Sequence, residues 1–153
     1  MSDDIFPPME HIVPHAGDMS LLDRVLAADD TRLIAEVTPR TSQLFCRDGE
    51  IGSWVGIEYM AQAIAAWAGL QARKRGETPK AGFLLGTRRY RTETPAFALG
   101  TPLQVSIELQ FLADNGLGQF ECRIDSAGKR LASAQLKVFE PSDTEQFIEE
   151  SMQ

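Results

Sequence analysis

Ser53-Trp-Val-Gly-Ile-Glu-Tyr-Met-Ala-Gln-Ala-Ile-Ala-Ala-Trp-Ala-Gly-Leu-Gln-Ala-Arg-Lys74 contains no proline and is rich in good helix formers, so it reads as one long helix. Ser53 is placed to cap its start. Arg73, Lys74 and Arg75 favour the negative C-terminal end, and Gly76 offers a left-handed stop before Pro79. Ile57, Met60, Ala61, Ile64, Ala65 and Ala68 form one apolar stripe, which Trp54, Val55, Ala63, Ala66 and Trp67 carry nearly all round. A helix of that kind needs cover on most of its faces.

The cover is written downstream. Leu103-Gln-Val-Ser-Ile-Glu-Leu-Gln-Phe111 is apolar at every odd position, a period of two that marks a half-buried strand. Phe120, Cys122 and Ile124 alternate in the same way, as do Ala132, Ala134, Leu136 and Val138. Asp114-Asn115-Gly116 and Ser126-Ala127-Gly128-Lys129 are turn signals short enough to join these strands as an antiparallel meander. Arg32 to Thr38 and Gly82 to Arg88 read as further strands. With no second comparable helix, parallel βαβ repeats are not indicated and the fold class is α+β. One apolar helix with an antiparallel sheet to wrap it suggests the arrangement called a hotdog, which many other α+β folds with one helix and a meander also match at this level.

The chain has 153 residues, 43% of them hydrophobic, with 15 Lys+Arg against 22 Asp+Glu and a net charge of −7. A chain of this length buries roughly 68–70% of its unfolded surface, enough for one core, so a single domain is expected and disorder is not. The acidic balance and the lack of a basic stripe interleaved with aromatics argue against nucleic acid as a partner. No apolar run is long enough for a membrane span. Met1-Ser2-Asp3-Asp4 is acidic where a signal peptide is basic, so the cytoplasm is the expected compartment. Cys46 and Cys122 have no zinc-ligand or CxxC spacing and read as small buried hydrophobes, with reactivity left open for Cys46 in its loop-like stretch.

Glu58 interrupts the apolar helix in its first turns, with Gln62 one turn later on the same face. Burial disfavours a charged carboxyl and would let it hold a proton as a general acid, while the positive helix end acts in the opposite direction. Two roles stay open at this point: a catalytic acid, or a helix-terminal carboxylate hydrogen-bonded to Gln62. His11 and His15 lie in a proline-bounded stretch where either can titrate near neutrality. Pro14 between them argues against a helical ligand pair, so no metal is expected. There is no GxGxxG or Walker glycine loop, so no nucleotide cofactor is expected, and no GxSxG elbow or paired nucleophile and base. Basic residues gather at Arg73-Lys74-Arg75 and at Arg88-Arg89-Tyr90-Arg91, either as solvated faces or as sites kept for an anionic ligand.

Three segments taken together carry a resemblance: Pro14-His-Ala-Gly-Asp-Met-Ser-Leu-Leu-Asp-Arg-Val25, Glu58-Tyr-Met-Ala-Gln62 and Gly82-Phe-Leu-Leu-Gly86. In order and spacing they resemble the 3-hydroxyacyl-(acyl carrier protein) dehydratases of the hotdog superfamily, over residues 10–140. Trp54 to Ala66 is closest to the divergent dehydratase-like branch of aryl-polyene-type lipid clusters. The resemblance implies one hotdog domain across residues 1–153, a dimer whose long helices lie together, and an acyl tunnel between subunits. It implies no cofactor and an acyl carrier protein as the partner that delivers 3-hydroxyacyl chains. Glu58 matches the carboxyl that protonates the leaving hydroxyl, and Ser53 falls where the family's backbone donor polarises the thioester carbonyl, with Gln62 beside the substrate. The Arg73, Lys74, Arg75 and Arg88, Arg89, Arg91 clusters are then candidate docking sites for an acidic carrier.

One departure matters. The family's catalytic histidine belongs to a Gly-His-Phe-Pro loop, and the matching stretch Gln43-Leu-Phe-Cys-Arg-Asp-Gly-Glu-Ile-Gly52 holds no histidine. His15 stands as the candidate substitute, a role the resemblance does not carry over, since the family's N-terminal Pro-His is not ordinarily the base. The expected activity is dehydration of 3-hydroxyacyl thioesters to trans-2-enoyl thioesters. The alternatives are a hotdog acyl-thioesterase and a non-catalytic acyl-binding subunit that partners another hotdog dehydratase. Acyl length, carrier protein or coenzyme A, and homodimer, mixed dimer or higher oligomer stay open. The acidic stretch 142–153, with Phe147 and Ile148, reads as a short helix or a frayed tail without an assigned function.

Overall fold

The computed structural model describes residues 6, 21–40, 46–47, 50–77 and 83–140. In chain order the strands are β1 (Arg24–Ala28), β2 (Arg32–Val37), β3 (Cys46–Arg47) and β4 (Glu50–Gly52). A 3-10 turn, Ser53–Val55, then leads into helix α1 (Gly56–Lys74), followed by β5 (Phe83–Thr92), β6 (Ala96–Ala98), β7 (Leu103–Leu112), β8 (Leu117–Ser126) and β9 (Lys129–Phe139). Six strands form one antiparallel sheet in the order β1-β2-β7-β8-β9-β5, and β3, β4 and β6 form a second, three-stranded sheet. Helix α1 packs on β7, β2 and β8 in the middle of the larger sheet, and on β5 and β9 at its far side. This is the α+β hotdog: a sheet curled around one long helix.

Hydrophobic alternation places the core. Leu33, Ala35 and Val37 of β2 stand opposite Ile107, Val105 and Leu103 of β7, and all six are buried. Phe120, Cys122 and Ile124 continue that inner face on β8, and Ala132, Ala134 and Leu136 complete it on β9. Against them the helix presents Tyr59, Met60, Ala63, Ala66 and Trp67, with Trp67 edge-on to Phe120 at a centroid distance of 5.5 Å. Each such Leu, Ile or Phe side chain taken out of water contributes about 1.5–3 kcal/mol. The small residues Ala35, Ala63, Ala66, Ala132 and Ala134 let helix and sheet approach closely enough for the large ones to interdigitate.

The helix end reads as the sequence has it. Gly76 has φ +71°, its N–H donates to the Arg73 carbonyl at 3.0 Å, and the Glu77 N–H donates to the Ala72 carbonyl at 2.9 Å. That pair of bonds is the Schellman stop, and it needs a residue free to adopt the left-handed region. The helix start differs from the sequence reading. Ser53 is not its cap: the helix begins at Gly56 after Val55, without a side-chain cap, and Ser53 opens the preceding 3-10 turn. Nor is the cover complete. Ile57, Ala61, Ala65 and Ala68 are only half-buried along one stripe, and Trp54 is 62% exposed.

Strand β7 also departs from simple alternation. Leu103, Val105 and Ile107 point inward, but the register shifts between Leu109 and Phe111, which sets Phe111 opposite Gln119 and leaves it exposed. An extra residue in one strand resets the phase of all that follow. The β8–β9 connection is the tight hairpin foreseen, with positive φ at both Ala127 and Gly128.

Candidate active site

Glu58 occupies the first turn of α1, where the helix's partial positive charge favours an anion. Its Oε1 accepts a hydrogen bond from the Gln62 side-chain amide at 3.1 Å, so the two residues paired in sequence are also paired in space. Gln62 is itself buried, and its Oε1 accepts the Leu21 backbone N–H at 2.8 Å. The amide thus spans from the helix to the chain entering β1. An amide is suited to this, because its oxygen serves a fixed N–H while its nitrogen holds a carboxyl in either protonation state.

Ser53 is held differently from the sequence expectation. Its N–H donates to the Pro95 carbonyl at 3.0 Å, continuing the β4–β6 ladder, and so is not turned toward a ligand. Its carbonyl accepts from the Gly56 N–H and from the Tyr90 hydroxyl. Tyr90 lies half-buried on β5, and burial pushes its phenol up to about 12. Gly56 is the point of closest approach: a Cβ there would run into the Tyr90 hydroxyl and stand 3.0 Å from Ile124 Cδ1 and 3.3 Å from Phe97 Cζ. The neighbouring Tyr59 packs on Phe97 at 5.9 Å and its buried hydroxyl has no hydrogen-bond partner among the described residues.

The two basic clusters are far apart. Arg88, Arg89 and Arg91 share β5 with Tyr90, at the Glu58 end of the helix, whereas Arg73, Lys74 and Arg75 are about 25 Å away along its axis. Lys74 pairs with Asp30 at 3.2 Å and Arg75 with Glu77 at 3.3 Å. Arg88, Arg89 and Arg91 have no carboxylate partner among the described residues. Cys122 is sealed in the core, where burial pushes its thiol up, and Cys46 is half-buried on β3. His11, His15 and the stretch 142–153 lie outside the described residues. Among those described, no three His, Cys, Asp or Glu side chains cluster as a metal site, and no helix is long and apolar enough to cross a membrane.

The arrangement is one carboxyl at a helix start, steadied by a buried amide, beside a clamped backbone turn. The chain matches the model of the ApeP-like family, described as ApeP dehydratase, over residues 7–149. It belongs to the ApeP-like dehydratase family. A chain of the dehydratase heterocomplex ApeI:P from Xenorhabdus doucetiae is 32% identical, with 94% of this chain and 97% of that one covered and a TM-score of 0.86. AziG from S. sahachiroi is 14% identical (77% and 90% covered, TM-score 0.60). A hypothetical thioesterase from Streptococcus pneumoniae TIGR4, solved with coenzyme A, is 12% identical (76% and 84% covered, TM-score 0.59). These last two share the fold alone. No curated protein matches the chain.

In this member of the ApeP-like dehydratase family, the contact between Glu58 and Gln62 follows from the sequence, but the clamp on the helix start does not. Tyr90 sits inside the basic run Arg88-Arg89-Tyr90-Arg91, and Gly56 lies within the helical stretch with no local signal to set it apart. Four basic or aromatic residues in a row, too polar for a buried strand, were the available signal that one of them turns inward.

Proposed function

We propose that this protein removes water from 3-hydroxyacyl thioesters carried on acyl carrier protein, giving trans-2-enoyl thioesters in fatty acid or polyene-type lipid synthesis. Glu58 protonates the departing 3-hydroxyl as the C3–O bond breaks, while a base takes the C2 proton and the electron pair becomes the C2=C3 bond. His15 is the candidate base. The observation that carries the reading is the Glu58–Gln62–Leu21 connection: it ties the helix carboxyl to a backbone N–H six residues downstream of His15, within a tether of about 20 Å at full extension. Family membership supports the reaction class.

The surface around the site suits a second hotdog subunit. Ile57, Ala61, Ala65 and Ala68 run along the less covered helix face, β5 is an edge strand, and Leu84 and Leu85 on it are 43% and 56% exposed. A homodimer or a mixed dimer would cover them, and the similar chain from Xenorhabdus doucetiae belongs to a heterocomplex, ApeI:P, which supports the mixed form. The carrier docks at Arg88, Arg89 and Arg91, which lie at the Glu58 end and form no ion pair among the described residues, Glu121 sharing their groove without closing a salt bridge.

The test is to incubate the protein with 3-hydroxyacyl carrier protein and follow the mass of the intact thioester. Loss of one water that disappears in Glu58→Gln supports the dehydratase; release of a free thiol instead identifies a thioesterase. Neither product from a folded protein that binds the acyl group identifies a non-catalytic subunit.

A further inference from the structure

Strand β5 contains an irregularity that ordinary pairing with β9 does not need. Thr87 stands opposite Leu136 and Arg88 opposite Gln135, and pairing resumes with Arg91 opposite Ser133 and Thr92 opposite Ala132. Arg89 and Tyr90 therefore face the single residue Ala134. Leu136, Ala134 and Ala132 form the buried inner face. Strict alternation from Thr87 would send Arg89 and Arg91 into the core and Tyr90 out to solvent. The bulge reverses this: Arg89 and Arg91 line an outer groove with Glu121, Ser133 and Gln135, and Tyr90 turns inward.

The reversal is made by putting Arg89 in the left-handed region at φ 55°, where a residue with a Cβ is strained. What it gains is a hydroxyl at the helix start. Tyr90 donates to the Ser53 carbonyl, which the Gly56 N–H already serves, while the Ser53 N–H is fixed to Pro95. The Ser53 carbonyl is thus satisfied without Tyr90, so the extra bond fixes position rather than rescuing an unpaired group. The absence of a side chain at Gly56 leaves the space through which that hydroxyl arrives. Glu58 leaves the helix two residues later.

We infer that Tyr90 is a positioning residue for the dehydration, holding the first turn of α1 so that Glu58 is presented in one place. This rests on the dehydratase reading. Tyr90 acts through Ser53 and the helix start and touches no reacting atom. A strained backbone that serves an active-site element rather than the core is the pattern by which such sites are recognised, and small displacements of a catalytic group lower turnover far more than binding.

Tyr90→Phe keeps the ring and removes only the hydroxyl. The expected result is a fall in kcat of about tenfold or more with KM within twofold, an almost unchanged melting temperature, and faster amide hydrogen exchange over residues 54–58. A purely structural role would instead lower the melting temperature and scale activity with the folded fraction, and that outcome overturns the inference, as does a wild-type kcat. Gly56→Ala should lose stability, and adding Tyr90→Phe to it should recover part of that stability but not the kcat lost with the hydroxyl; strict additivity of the two stability changes, or a double variant with wild-type kcat, counts against the inference. If the wild-type protein yields no enoyl thioester, the dehydratase reading fails and takes the catalytic role with it. A wild-type protein that turns over while Tyr90→Phe is indistinguishable from it sinks the positioning role alone.

Discussion

Glu58 and Gln62 lie one helical turn apart, and the Gln62 amide nitrogen donates to Glu58 Oε1 at 3.1 Å while the other end of the same amide is occupied by the Leu21 N–H. Gln62 is the only buried amide or charged side chain among the described residues. A buried amide bonded at both ends is a rigid spacer, so the carboxyl is referenced to the chain entering β1 as well as to its own helix.

That position makes Gln62→Leu informative. It fills the space but leaves the Leu21 N–H without its side-chain acceptor, a loss of about 1–3 kcal/mol. The melting temperature should fall by about 2–4 °C for each kcal/mol lost. Turnover should fall further than the folded fraction does, because Glu58 also loses its tether. Parallel melting curves and kcat measurements check this; a variant as active per folded molecule as wild type would show that Glu58 needs no support from Gln62.

Arg89 yields a prediction about stability alone. At φ 55° a β-branched residue is more strained than arginine, so Arg89→Val should cost about 1–2 kcal/mol. Arg89→Gly should be neutral or gain up to about 1 kcal/mol, since glycine meets no Cβ clash there. The urea midpoint should fall for Arg89→Val and hold or rise for Arg89→Gly. Equal destabilisation by both would point to the guanidinium, rather than the backbone angle, as what matters.

What the sequence showed and what it concealed divide along a physical line. The helix, its Schellman end and the inward faces of β7, β8 and β9 follow from local periodicity and turn chemistry, and all were legible. The bulges at Phe111 and at Arg89–Tyr90 were not, because an extra residue is defined only against a partner strand. The reading placed Phe111 inward for this reason, and counted Tyr90 as part of a basic cluster. The capping role given to Ser53 failed for a related cause: its N–H is drawn into the β4–β6 ladder by Pro95, more than 40 residues later in the chain. Glu58 and Gln62 were legible because both lie on one helix at a spacing that fixes their contact.

The exposed leucines of β5 bear on assembly. If β5 and the half-covered helix face meet a second subunit, the wild-type protein should sediment above its monomer mass of 16.9 kDa, alone or only with a hotdog partner. Leu85→Asp, which puts a charge on a side chain 56% exposed in the monomer, should abolish that association and leave far-UV circular dichroism unchanged. An assembly that survives Leu85→Asp must use another surface.

Carrier docking separates the two basic clusters. Arg88→Glu with Arg91→Glu should raise KM for acyl carrier protein and flatten its dependence on salt, with kcat little changed. Arg73→Glu, at the other end of the helix, should have the smaller effect. The reverse order would move the docking surface to the helix C-terminus.

Alkaline pH should weaken the fold, and the groups responsible can be named. Burial pushes Tyr90 up to about 12 from an ordinary value near 10, and raises Tyr59 and Cys122 in the same direction, with Asp23 adding to Tyr59 and Glu121 to Cys122. For a group whose pKa is higher folded than unfolded, stability is fully present below the unfolded value. It is lost as pH rises, since the unfolded chain releases the proton first. The urea midpoint should therefore hold steady to about pH 8.5 and then decline, first through Cys122 and then, above about pH 10, through the two tyrosines. Cys122→Ala should delay the onset, and Tyr90→Phe should make the later decline shallower. Identical slopes in wild type and Tyr90→Phe between pH 10 and 12 would mean that the phenol ionises without opposing the fold, which a buried hydroxyl bonded to the Ser53 carbonyl should not do.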